Sequence, residues 1–426
     1  MRIPRLRLFY GWWVVIAGAL AHAVTTGLGY FGLSAYFPSL EREFGWSRTA
    51  ISGAFSLARV ESGLIGPAEG LLTDKLGPRR VILIGVGLSV LGFLLLSTVN
   101  SLPMLYAVMI LGIVLGSSLG FFVPVSVVVA TLFQERRGLA FGIFRMGPGL
   151  SGVLMPLVGW SIVFWGWRMT AAASAFVLLV VGLALARIVG RSQRLQESRT
   201  DDIADAPSLT ADLRVKPGTQ NSDHPIPQVE FTLKEALGSF AFWMLAIATG
   251  LRHMVTEGIS VHFVVMLVDR GWSQELASSM LGISNLVSVP ARLGFGWLGD
   301  LLDKRGLMVG LLIALGIAAL FMGWFPEARV FLPSMVIYSL TYGGLASLQE
   351  SIRADYFGTR HFASIQGFSR LITTCGSFLG PLAAGYLYDL TRSYTLAFSL
   401  FSGVSLLATL CMLLARPPVA HNGSRS

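Results

Sequence analysis

A short charged turn between two long apolar stretches constrains the fold of this chain more than any other feature. Residues 70–80 read Gly-Leu-Leu-Thr-Asp-Lys-Leu-Gly-Pro-Arg-Arg, and apolar runs flank them on both sides. The ions and backbone groups of such a turn would be unsatisfied in hydrocarbon, so the turn must lie in water between two membrane helices. A second version occupies residues 296–305, about half of the chain later, and places Asp300 where the first version has Asp74.

Other motifs repeat at nearly the same offset and in the same order. They are Gly45-Trp46-Ser47 with Gly271-Trp272-Ser273, Arg145 with Arg370, Pro156 with Pro381, and His22 with His253. A single match would carry little weight, but several matches in one order indicate that the chain consists of two related halves.

The composition is typical of a membrane protein. The 426 residues are 54% hydrophobic and 13% charged, and the mean hydropathy is +0.67. A run of about 20 apolar residues spans a bilayer. Twelve such runs are present, and we number them helices 1 to 12: 11–36, 50–72, 80–99, 103–132, 138–163, 168–187, 238–266, 273–299, 307–325, 331–354, 362–388 and 394–415. We therefore predict an all-α membrane protein with twelve transmembrane helices in two pseudo-symmetric six-helix halves.

Basic residues cluster in alternate loops, as Lys75, Arg79 and Arg80 do after helix 2. The positive-inside rule then predicts a multi-pass protein of the cytoplasmic (inner) membrane with both termini in the cytoplasm. The same bias explains the net charge of +9, so we expect the lipid bilayer and no nucleic acid as a partner. The predicted divisions are an N-terminal half (1–188), a polar cytoplasmic linker (189–236), a C-terminal half (237–416) and a cytoplasmic tail (417–426).

Motifs of enzymes and metalloproteins are missing from the sequence. Cys375 and Cys411 both fall inside predicted helices, which supports neither a disulfide framework nor a thiolate metal site. The sequence has no His-Glu-x-x-His motif, paired Cys/His cluster, Gly-x-Ser-x-Gly motif or Gly-rich phosphate loop. We predict a protein that is not an enzyme, has no cofactor and no metal, and acts as a monomer.

The turn at 70–80 resembles the loop between helices 2 and 3 of the major facilitator superfamily, although the second copy has Asp303 where that pattern has glycine. Gly166-Trp167-Arg168, at the start of helix 6, is also similar to that superfamily. Within it, four further stretches resemble monocarboxylate porters and oxalate:formate antiporters. They are Tyr10-Gly11-Trp12-Trp13, Phe44-Gly45-Trp46-Ser47-Arg48, Arg136-Arg137-Gly138-Leu139-Ala140 and Arg353-Ala354-Asp355-Tyr356-Phe357-Gly358.

This resemblance implies transport of small carboxylates, with the arginine of helix 8 (Arg292 here) binding the anion and with proton coupling in many members. Two positions depart from the eukaryotic members. The eukaryotic members have an aspartate four residues before this arginine, where this chain has Ser288. They also have a lysine in helix 1, near the position of Tyr30 in this chain. The familiar proton-coupling pair is therefore incomplete.

Ionisable residues inside membrane spans are costly and should face a partner or a watery cavity. The interiors of helices 3, 6, 9 and 12 have none, and in the superfamily these four are the lipid-facing supports. In the other helices arginines outnumber carboxylates: Arg59, Arg145, Arg252, Arg292 and Arg370 against Glu61, Glu257 and Glu350. A guanidinium does not shed its proton, and a carboxylate satisfies it with two hydrogen bonds. An anionic small-molecule substrate is therefore predicted.

Three sets of site residues follow from these patterns. The predicted substrate-binding residues are Arg292, Tyr30, Arg59, Arg145, Arg370 and His253. The candidates for proton coupling are Glu61, His253, Glu257 and Glu350. The predicted conformational residues are Asp74, Arg79, Arg80, Asp300, Lys304 and Arg305. Arg145 and Arg370 have a second interpretation as gating or structural ion pairs, and we interpret His262 as a polar group satisfied by its neighbours.

The predicted function is secondary active transport of a small organic anion, a monocarboxylate or related carboxylate, across the cytoplasmic membrane by alternating access. Proton coupling is left open. A rival hypothesis is proton-coupled efflux of drugs or other amphiphilic small molecules, because Gly147-Pro148-x-x-Ser151-Gly152 partly resembles a glycine-proline motif of antiporters. A membrane-embedded enzyme fits less well without catalytic motifs, and the duplicated halves favour a carrier over a channel.

Overall fold

The computed structural model describes residues 10–64, 66–133, 137–204, 231–358 and 362–418. Within these ranges it describes the backbone but not the side chains of residues 58, 59, 61–64, 66–68, 70, 74, 130, 137–139, 141, 193–204 and 362–364. The side chains of Arg59, Glu61 and Asp74, which the sequence marks as candidates, therefore lie outside the described residues.

Six long helices make up the first half, and several are interrupted by tighter or wider turns. Helix 1 comprises Tyr10–Thr25, Thr26–Tyr30 and Gly32–Phe44; helix 2 comprises Arg48–Leu64 and Gly66–Leu76; helix 3 is Pro78–Leu96. Helix 4 comprises Leu102–Ala107, Val108–Val114, Leu115–Ser117, Ser118–Phe122 and Val123–Leu132. Helix 5 comprises Arg137–Arg145, Gly147–Leu150, Ser151–Val153 and the beginning of Met155–Ala204, whose remainder is helix 6.

Gly166 separates helix 5 from helix 6. Its φ of 77° lies in the left-handed region, where a side chain would be strained, and it lets the chain turn back without a longer loop. The next two residues then reach across the first half. The Trp167 indole N–H and an Arg168 N–H each donate to a Glu43 carboxylate oxygen over 2.6 Å. The Gly-Trp-Arg stretch thus ties helix 6 to the end of helix 1.

The second half begins with a short helix, Leu233–Gly238, followed by six long ones. The Thr232 hydroxyl accepts from the Glu235 backbone N–H, and the Glu235 carboxylate accepts from the Thr232 N–H, which is the capping box that starts this helix. Helices 7 to 12 are Phe240–Asp269, Gln274–Leu301, Lys304–Trp324, Ala328–Phe357, Phe362–Thr391 and Thr395–Leu414. The predicted fold class of twelve helices in two halves is confirmed.

Eight helical stretches of the described chain are long and apolar enough to cross a bilayer. They are Tyr10–Phe44, Pro78–Leu96, Leu102–Val129, Gly142–Ser192, Phe240–Asp269, Lys304–Trp324, Ala328–Phe357 and Thr395–Leu414, and the fourth of them contains both helix 5 and helix 6. Helix 2 is absent from this set because it is described as two shorter stretches, Arg48–Leu64 and Gly66–Leu76. Helices 8 and 11 are absent because they carry more polar residues. The halves meet through helices 1, 2 and 5 on one side and helices 7, 8 and 11 on the other.

Helix 2 packs on helix 11, and helix 5 packs on helix 8. Glycines let these helices approach closely: a Cβ on Gly152 would collide with the carbonyl oxygen of Gly282, and one on Gly282 with that of Gly152. Small residues are what allow such backbone contact between membrane helices. Helices 3, 6, 9 and 12 contribute no described residue to the two central cavities, which agrees with their uncharged interiors.

Candidate functional site

Two adjoining cavities lie between the halves. The first, of about 290 Å³, is lined by Tyr30 of helix 1, by residues of helices 2 and 4, and by His253, Glu257 and Arg370 of the second half. The second, of about 550 Å³, is lined by Arg145 of helix 5 and by residues of helices 7, 8, 10 and 11. His253 and Glu257 line both cavities, so the two cavities adjoin at these residues.

The larger cavity lies towards one end of the molecule. We call that end the basic end, because it holds Lys75, Arg79, Arg80, Lys304 and Arg305. The larger cavity is lined by the parts of helices 5, 10 and 11 nearest to the basic end. We call the other end, where Arg48, Asp269 and Asp389 lie, the sealed end.

Two of the predicted substrate-binding arginines face the larger cavity without a carboxylate partner. The Arg145 guanidinium carbon lies 5.3 Å from the centroid of the Phe122 ring, and that of Arg292 lies 5.8 Å from the Tyr342 ring. Within the described residues neither guanidinium makes an ion pair, and the buried Nε of Arg292 has no hydrogen-bond partner. Both side chains are therefore placed to receive an anion.

Arg252 differs, because one of its terminal nitrogens is already hydrogen-bonded within its own half, although its Nε, like that of Arg292, has no partner among the described residues. It is buried in helix 7, donates to the Gln349 side-chain oxygen over 2.9 Å, and lies 2.6 Å from Nε2 of His253. Glu257, five residues further along the helix, lies within electrostatic range. These contacts fit a structural cation better than a substrate site.

Glu257 connects the two halves inside the cavity. The hydroxyl of Tyr30, from helix 1, donates to Oε2 of Glu257 over 2.8 Å. The structure thus brings together a predicted substrate-binding residue and a predicted proton-coupling residue that are far apart in the sequence. Both functional roles stay predictions.

Glu350, another candidate for proton coupling, is engaged by its own half. The Gln366 amide donates to it over 2.7 Å, and an Arg353 nitrogen lies 3.7 Å from the same oxygen. Arg145 of the first half lies within electrostatic range of this carboxylate. Arg145 and Glu350 thus approach each other across the cavity without forming an ion pair, and a gating role for Arg145 stays a prediction.

A buried carboxylate that the sequence reasoning missed is Glu69 of helix 2. It accepts a hydrogen bond from the Ser118 hydroxyl over 2.6 Å, and its other oxygen has no partner in the described part of the chain. Arg370, from helix 11, lies within electrostatic range of it. The sequence signal for Glu69 is its place as a carboxylate inside the predicted apolar run 50–72.

The sealed end is closed by a network centred on Arg48, which the sequence marked only as a loop cation and a family motif. All five of its side-chain N–H donors find acceptors. Glu41 accepts two of them at 2.8 and 2.9 Å, Asp269 accepts two at 2.5 and 2.8 Å, and the Tyr394 hydroxyl accepts one at 2.9 Å. The Tyr388 ring covers the guanidinium face at 3.6 Å. Arg48 and Glu41 belong to the first half and the other three to the second.

Asp389 adds a second connection at this end. Its carboxylate accepts from the backbone N–H groups of Arg48 (3.0 Å) and Thr49 (2.8 Å) and from the Thr49 hydroxyl (2.5 Å). These N–H groups belong to the first turn of helix 2. The N-terminus of a helix in the first half is therefore capped by a carboxylate from the second half, which a helix start favours electrostatically.

His262 is fully buried in helix 7 and also joins the halves. Its ring nitrogens lie 2.9 Å from the Ser52 hydroxyl, 2.8 Å from the Tyr394 hydroxyl and 3.0 Å from the Pro381 carbonyl oxygen. The interpretation of His262 as a satisfied polar group is confirmed. Its contact with Ser52 adds a cross-half link that the sequence did not indicate.

The predicted conformational residues lie at the basic end. Lys304 pairs with Asp355 of helix 10 at 2.7 Å, and Arg305 donates to the backbone carbonyls of Met412 and Leu413 at the end of helix 12. Arg79 packs against helix 6, since a Cβ on Gly190 would approach its side chain to 2.7 Å. Arg80 and Asp300 are exposed.

Asp303, the departure from the superfamily pattern, has a structural explanation. Its carboxylate accepts from the backbone N–H groups of Arg305 (3.3 Å) and Gly306 (2.8 Å) and caps helix 9. In the first copy the equivalent place is Gly77, whose φ is 82° and which provides no side-chain cap. The two halves thus start equivalent helices in different ways.

A family model described as Major Facilitator Superfamily matches residues 19–348 and 245–426. The chain belongs to this superfamily. It is 28% identical over 417 residues to monocarboxylate transporter 13 of Rattus norvegicus, covering 96% of this chain and 89% of the relative. It is 26% identical over 388 residues to the oxalate:formate antiporter of Oxalobacter formigenes, covering 87% and 83%. The predicted superfamily and the resemblance to these relatives are confirmed, and the relatives are transporters, which are not enzymes.

Solved structures of other superfamily members share the fold. A bacterial homologue of the human lysosomal transporter Spinster, in an inward-facing and occupied conformation, superposes with a TM-score of 0.71 at 15% identity, covering 95% of this chain and 97% of that one. The peptide transporter POT, in complex with alafosfalin, gives a TM-score of 0.68 at 17% identity, covering 97% and 96%. The family model and the relatives make this multi-pass membrane protein a Major Facilitator Superfamily transporter, and these structures show that it has the same fold.

Proposed function

We propose that this transporter moves a small organic anion of the carboxylate class across the cytoplasmic membrane by alternating access. The observation that carries the proposal is the pair of cavity guanidiniums, Arg145 and Arg292, that have no carboxylate partner among the described residues. A carboxylate matches the planar fork of a guanidinium with two hydrogen bonds. The names of the relatives, which include monocarboxylate transporters and an oxalate:formate antiporter, point to the same class.

Alternating access is supported by the contrast between the two ends. At the sealed end, bonds around Arg48, Asp389 and His262 join the halves, whereas the larger cavity lies towards the basic end. With the basic end in the cytoplasm, as the positive-inside rule predicts, this arrangement is an inward-open state. Transport then requires the sealed-end network to break and the halves to approach at the basic end.

In this mechanism Arg292 binds the carboxylate from the second half. Burying an uncompensated guanidinium costs free energy, and the bound anion offsets its charge. Substrate binding thereby removes one obstacle to closing the basic end. Proton coupling, where it occurs, would act through Glu257 and His253, because these two residues line both cavities.

A ligand screen on the purified full-length protein tests this proposal. Small carboxylates are expected to raise the midpoint of thermal unfolding, because a ligand that binds only the folded state stabilises it. Arg292→Gln should abolish that shift, and Arg329→Gln, which changes an exposed arginine at the sealed end, should retain it. Equal shifts in wild type and Arg292→Gln would contradict the anion site. Shifts with amphiphilic drugs alone would favour the efflux hypothesis.

A further inference from the structure

His262 is a buried titratable residue between the two halves, and transport of an anion through the cavities does not use it. It lies on helix 7, about 10 Å before that helix ends at Asp269. On the side of the first half, the Ser52 hydroxyl lies 2.9 Å from its Nε2 atom, and the Phe37 ring centroid lies 5.3 Å from that of the imidazole. The imidazole therefore occupies the interface that has to part when the sealed end opens.

The hydrogen bonds of His262 determine which ring nitrogen carries the hydrogen. Nε2 lies 3.0 Å from the Pro381 carbonyl oxygen, which can only accept, so we assign the hydrogen to Nε2. Nδ1 then has a lone pair and accepts from the Tyr394 hydroxyl over 2.8 Å. The oxygen of that hydroxyl accepts in turn from Arg48 over 2.9 Å. A directed chain of hydrogen bonds thus leads from Arg48 to a neutral imidazole.

Three charged side chains lie within electrostatic range of this imidazole. Arg48, at the start of helix 2, repels a positive charge on the ring, whereas Asp269 of helix 7 and Asp389 of helix 11 attract it. Both aspartates are engaged by the first half, and neither makes a hydrogen bond to the imidazole within the described residues. The other groups packed on the ring are uncharged in the sealed state: Phe37 of helix 1, Ser52 of helix 2, Pro381 of helix 11 and Tyr394 just before helix 12. Glu41 and Tyr388 lie one contact further away, against Arg48.

A second proton on the ring is incompatible with these bonds. Nδ1 would then donate to the Tyr394 oxygen, which Arg48 already uses, and the hydrogen of the Tyr394 hydroxyl would lose the acceptor that it has in the described chain. A buried donor without an acceptor and a buried cation without water are both unfavourable. Water has little room to enter, because a Cβ on Gly385 of helix 11 would already lie 2.8 Å from the Arg48 carbonyl oxygen and from the Ser52 hydroxyl oxygen. The sealed state therefore requires a neutral His262.

We propose that protonation of His262 opens the sealed end, so that this residue is a pH-sensitive switch of the conformational equilibrium. When the halves part, Ser52 and Phe37 withdraw with the first half and water reaches the ring. Asp269 then loses Arg48 and can stabilise the imidazolium. The open state thus binds the proton more tightly than the sealed state does, and an acidic solution shifts the equilibrium towards it.

The proton reaches Nδ1 of His262 from the water at the sealed end and leaves to the same side before the halves close again. It is therefore not carried across the membrane. This distinguishes His262 from Glu257 and His253, the candidates for proton coupling in the cavities. The inference rests on alternating access, which is part of the proposed function, but not on the chemistry of the substrate.

Pulsed electron paramagnetic resonance on the purified full-length protein without substrate tests the switch. Cys375→Ala and Cys411→Ala remove the native thiols. Spin labels at two exposed positions of the sealed end, Asn100→Cys between helices 3 and 4 and Arg329→Cys at the start of helix 10, then report the separation of the halves.

Between pH 8 and pH 5, the ratio of long to short distances should rise by up to 10-fold per pH unit below about pH 6.5, the usual pKa of an imidazole. His262→Gln should remove this rise, because an amide does not take up a proton in this range. Glu257→Gln, which changes a titratable group of the cavities, should retain it.

Nuclear magnetic resonance of protein labelled with nitrogen-15 in its histidines provides a second measurement, which decides the question even where His262→Gln is open at every pH. The His262 signal, identified by its absence from that variant, should show the hydrogen on Nε2 at pH 8. The ring should gain its second proton over the same pH range in which the long distances appear.

Three results would each overturn the switch: wild-type distances that do not change with pH, a His262→Gln protein that responds as wild type does, or a His262 ring that stays neutral while the distances change. Failure to bind any carboxylate would contradict the proposed substrate class and leave this test unaffected, since no substrate is present in it.

Discussion

A guanidinium has five N–H donors, and each donor of Arg48 has an acceptor at the sealed end. Two of these go to Glu41 of the same half, and three go to Asp269 and Tyr394 of the other. When the halves separate, Glu41 can stay with Arg48 and Asp269 can enter water. Within the Arg48 network, the cost of opening therefore falls mainly on the contact between Arg48 and Asp269.

Asp269→Asn should shift the protein towards the state that is open at the sealed end. Removing one partner of a buried ion pair costs about 3–5 kcal/mol, and we expect about 1–3 kcal/mol here because Glu41 still neutralises Arg48. Pulsed electron paramagnetic resonance between spin labels on the two halves at the sealed end should report a larger population of long distances. Glu41→Gln, the matched control within one half, should shift the distances less. Identical distributions for Asp269→Asn and wild type would contradict a latch at this position.

Tyr30 and Glu257 form a cross-half hydrogen bond inside the cavity. If Glu257 carries the coupled proton, Glu257→Gln should abolish the stimulation of uptake by a pH gradient while leaving exchange of substrate across the membrane measurable. Tyr30→Phe keeps the carboxylate and should retain the stimulation, since only the hydrogen bond is lost. Proteoliposomes with an imposed pH gradient provide the measurement. Stimulation that survives in Glu257→Gln would assign the proton elsewhere or show transport without a proton.

At the scale of helices, two aspartates cap helix N-termini in different ways. Asp303 caps helix 9 from the immediately preceding position in the chain, whereas Asp389 of helix 11 caps helix 2 across the interface. A cap from the same chain segment stays in place when the halves move. A cap from the opposite half is lost on opening, so it stabilises helix 2 only in the sealed state.

The pair of alanine variants separates these two cases. Loss of an N-cap costs about 1 kcal/mol, which corresponds to about a 5-fold change in an equilibrium. Asp389→Ala should therefore raise the ratio of long to short spin-label distances at the sealed end by about 5-fold. Asp303→Ala should lower the midpoint of thermal unfolding without changing those distances. An effect of both variants on thermal unfolding alone would show that Asp389 has no role in the conformational equilibrium.

The hydrophobic runs and the charged turns were enough to predict the helices, and the twelve predicted runs correspond to the twelve long helices of the structure. The contacts between helices could not be predicted from the sequence. Arg48 contacts Asp269 and Tyr394, which lie more than 200 positions away along the chain. Glu69 lay inside a predicted helix, but its burial and its neighbours Ser118 and Arg370 could not be predicted. These neighbours belong to other helices, and no sequence pattern indicates that they lie near Glu69.

Over the whole molecule, bonds between the halves concentrate at the sealed end, and unneutralised cations concentrate in the cavity nearer the basic end. The duplicated sequence predicted two halves with a chamber rich in arginine between them, and that prediction is confirmed as far as the fold is concerned. The substrate roles of Arg292, Tyr30, Arg145, Arg370 and His253 stay predictions. The sequence counted Arg252 among the arginines of the spans but did not indicate its partner Gln349, which lies on another helix.

The most direct measurement of the central claim is uptake of a labelled carboxylate by proteoliposomes that contain the purified protein. Wild-type protein should accumulate the label above protein-free liposomes, and unlabelled carboxylate inside the vesicles should accelerate its entry. Arg292→Gln should reduce this uptake to about background, a loss of about 10-fold or more for one buried anion contact, while Arg329→Gln should transport normally. Uptake by Arg292→Gln at the wild-type rate would contradict the assignment of this cavity as the site of an anion carrier.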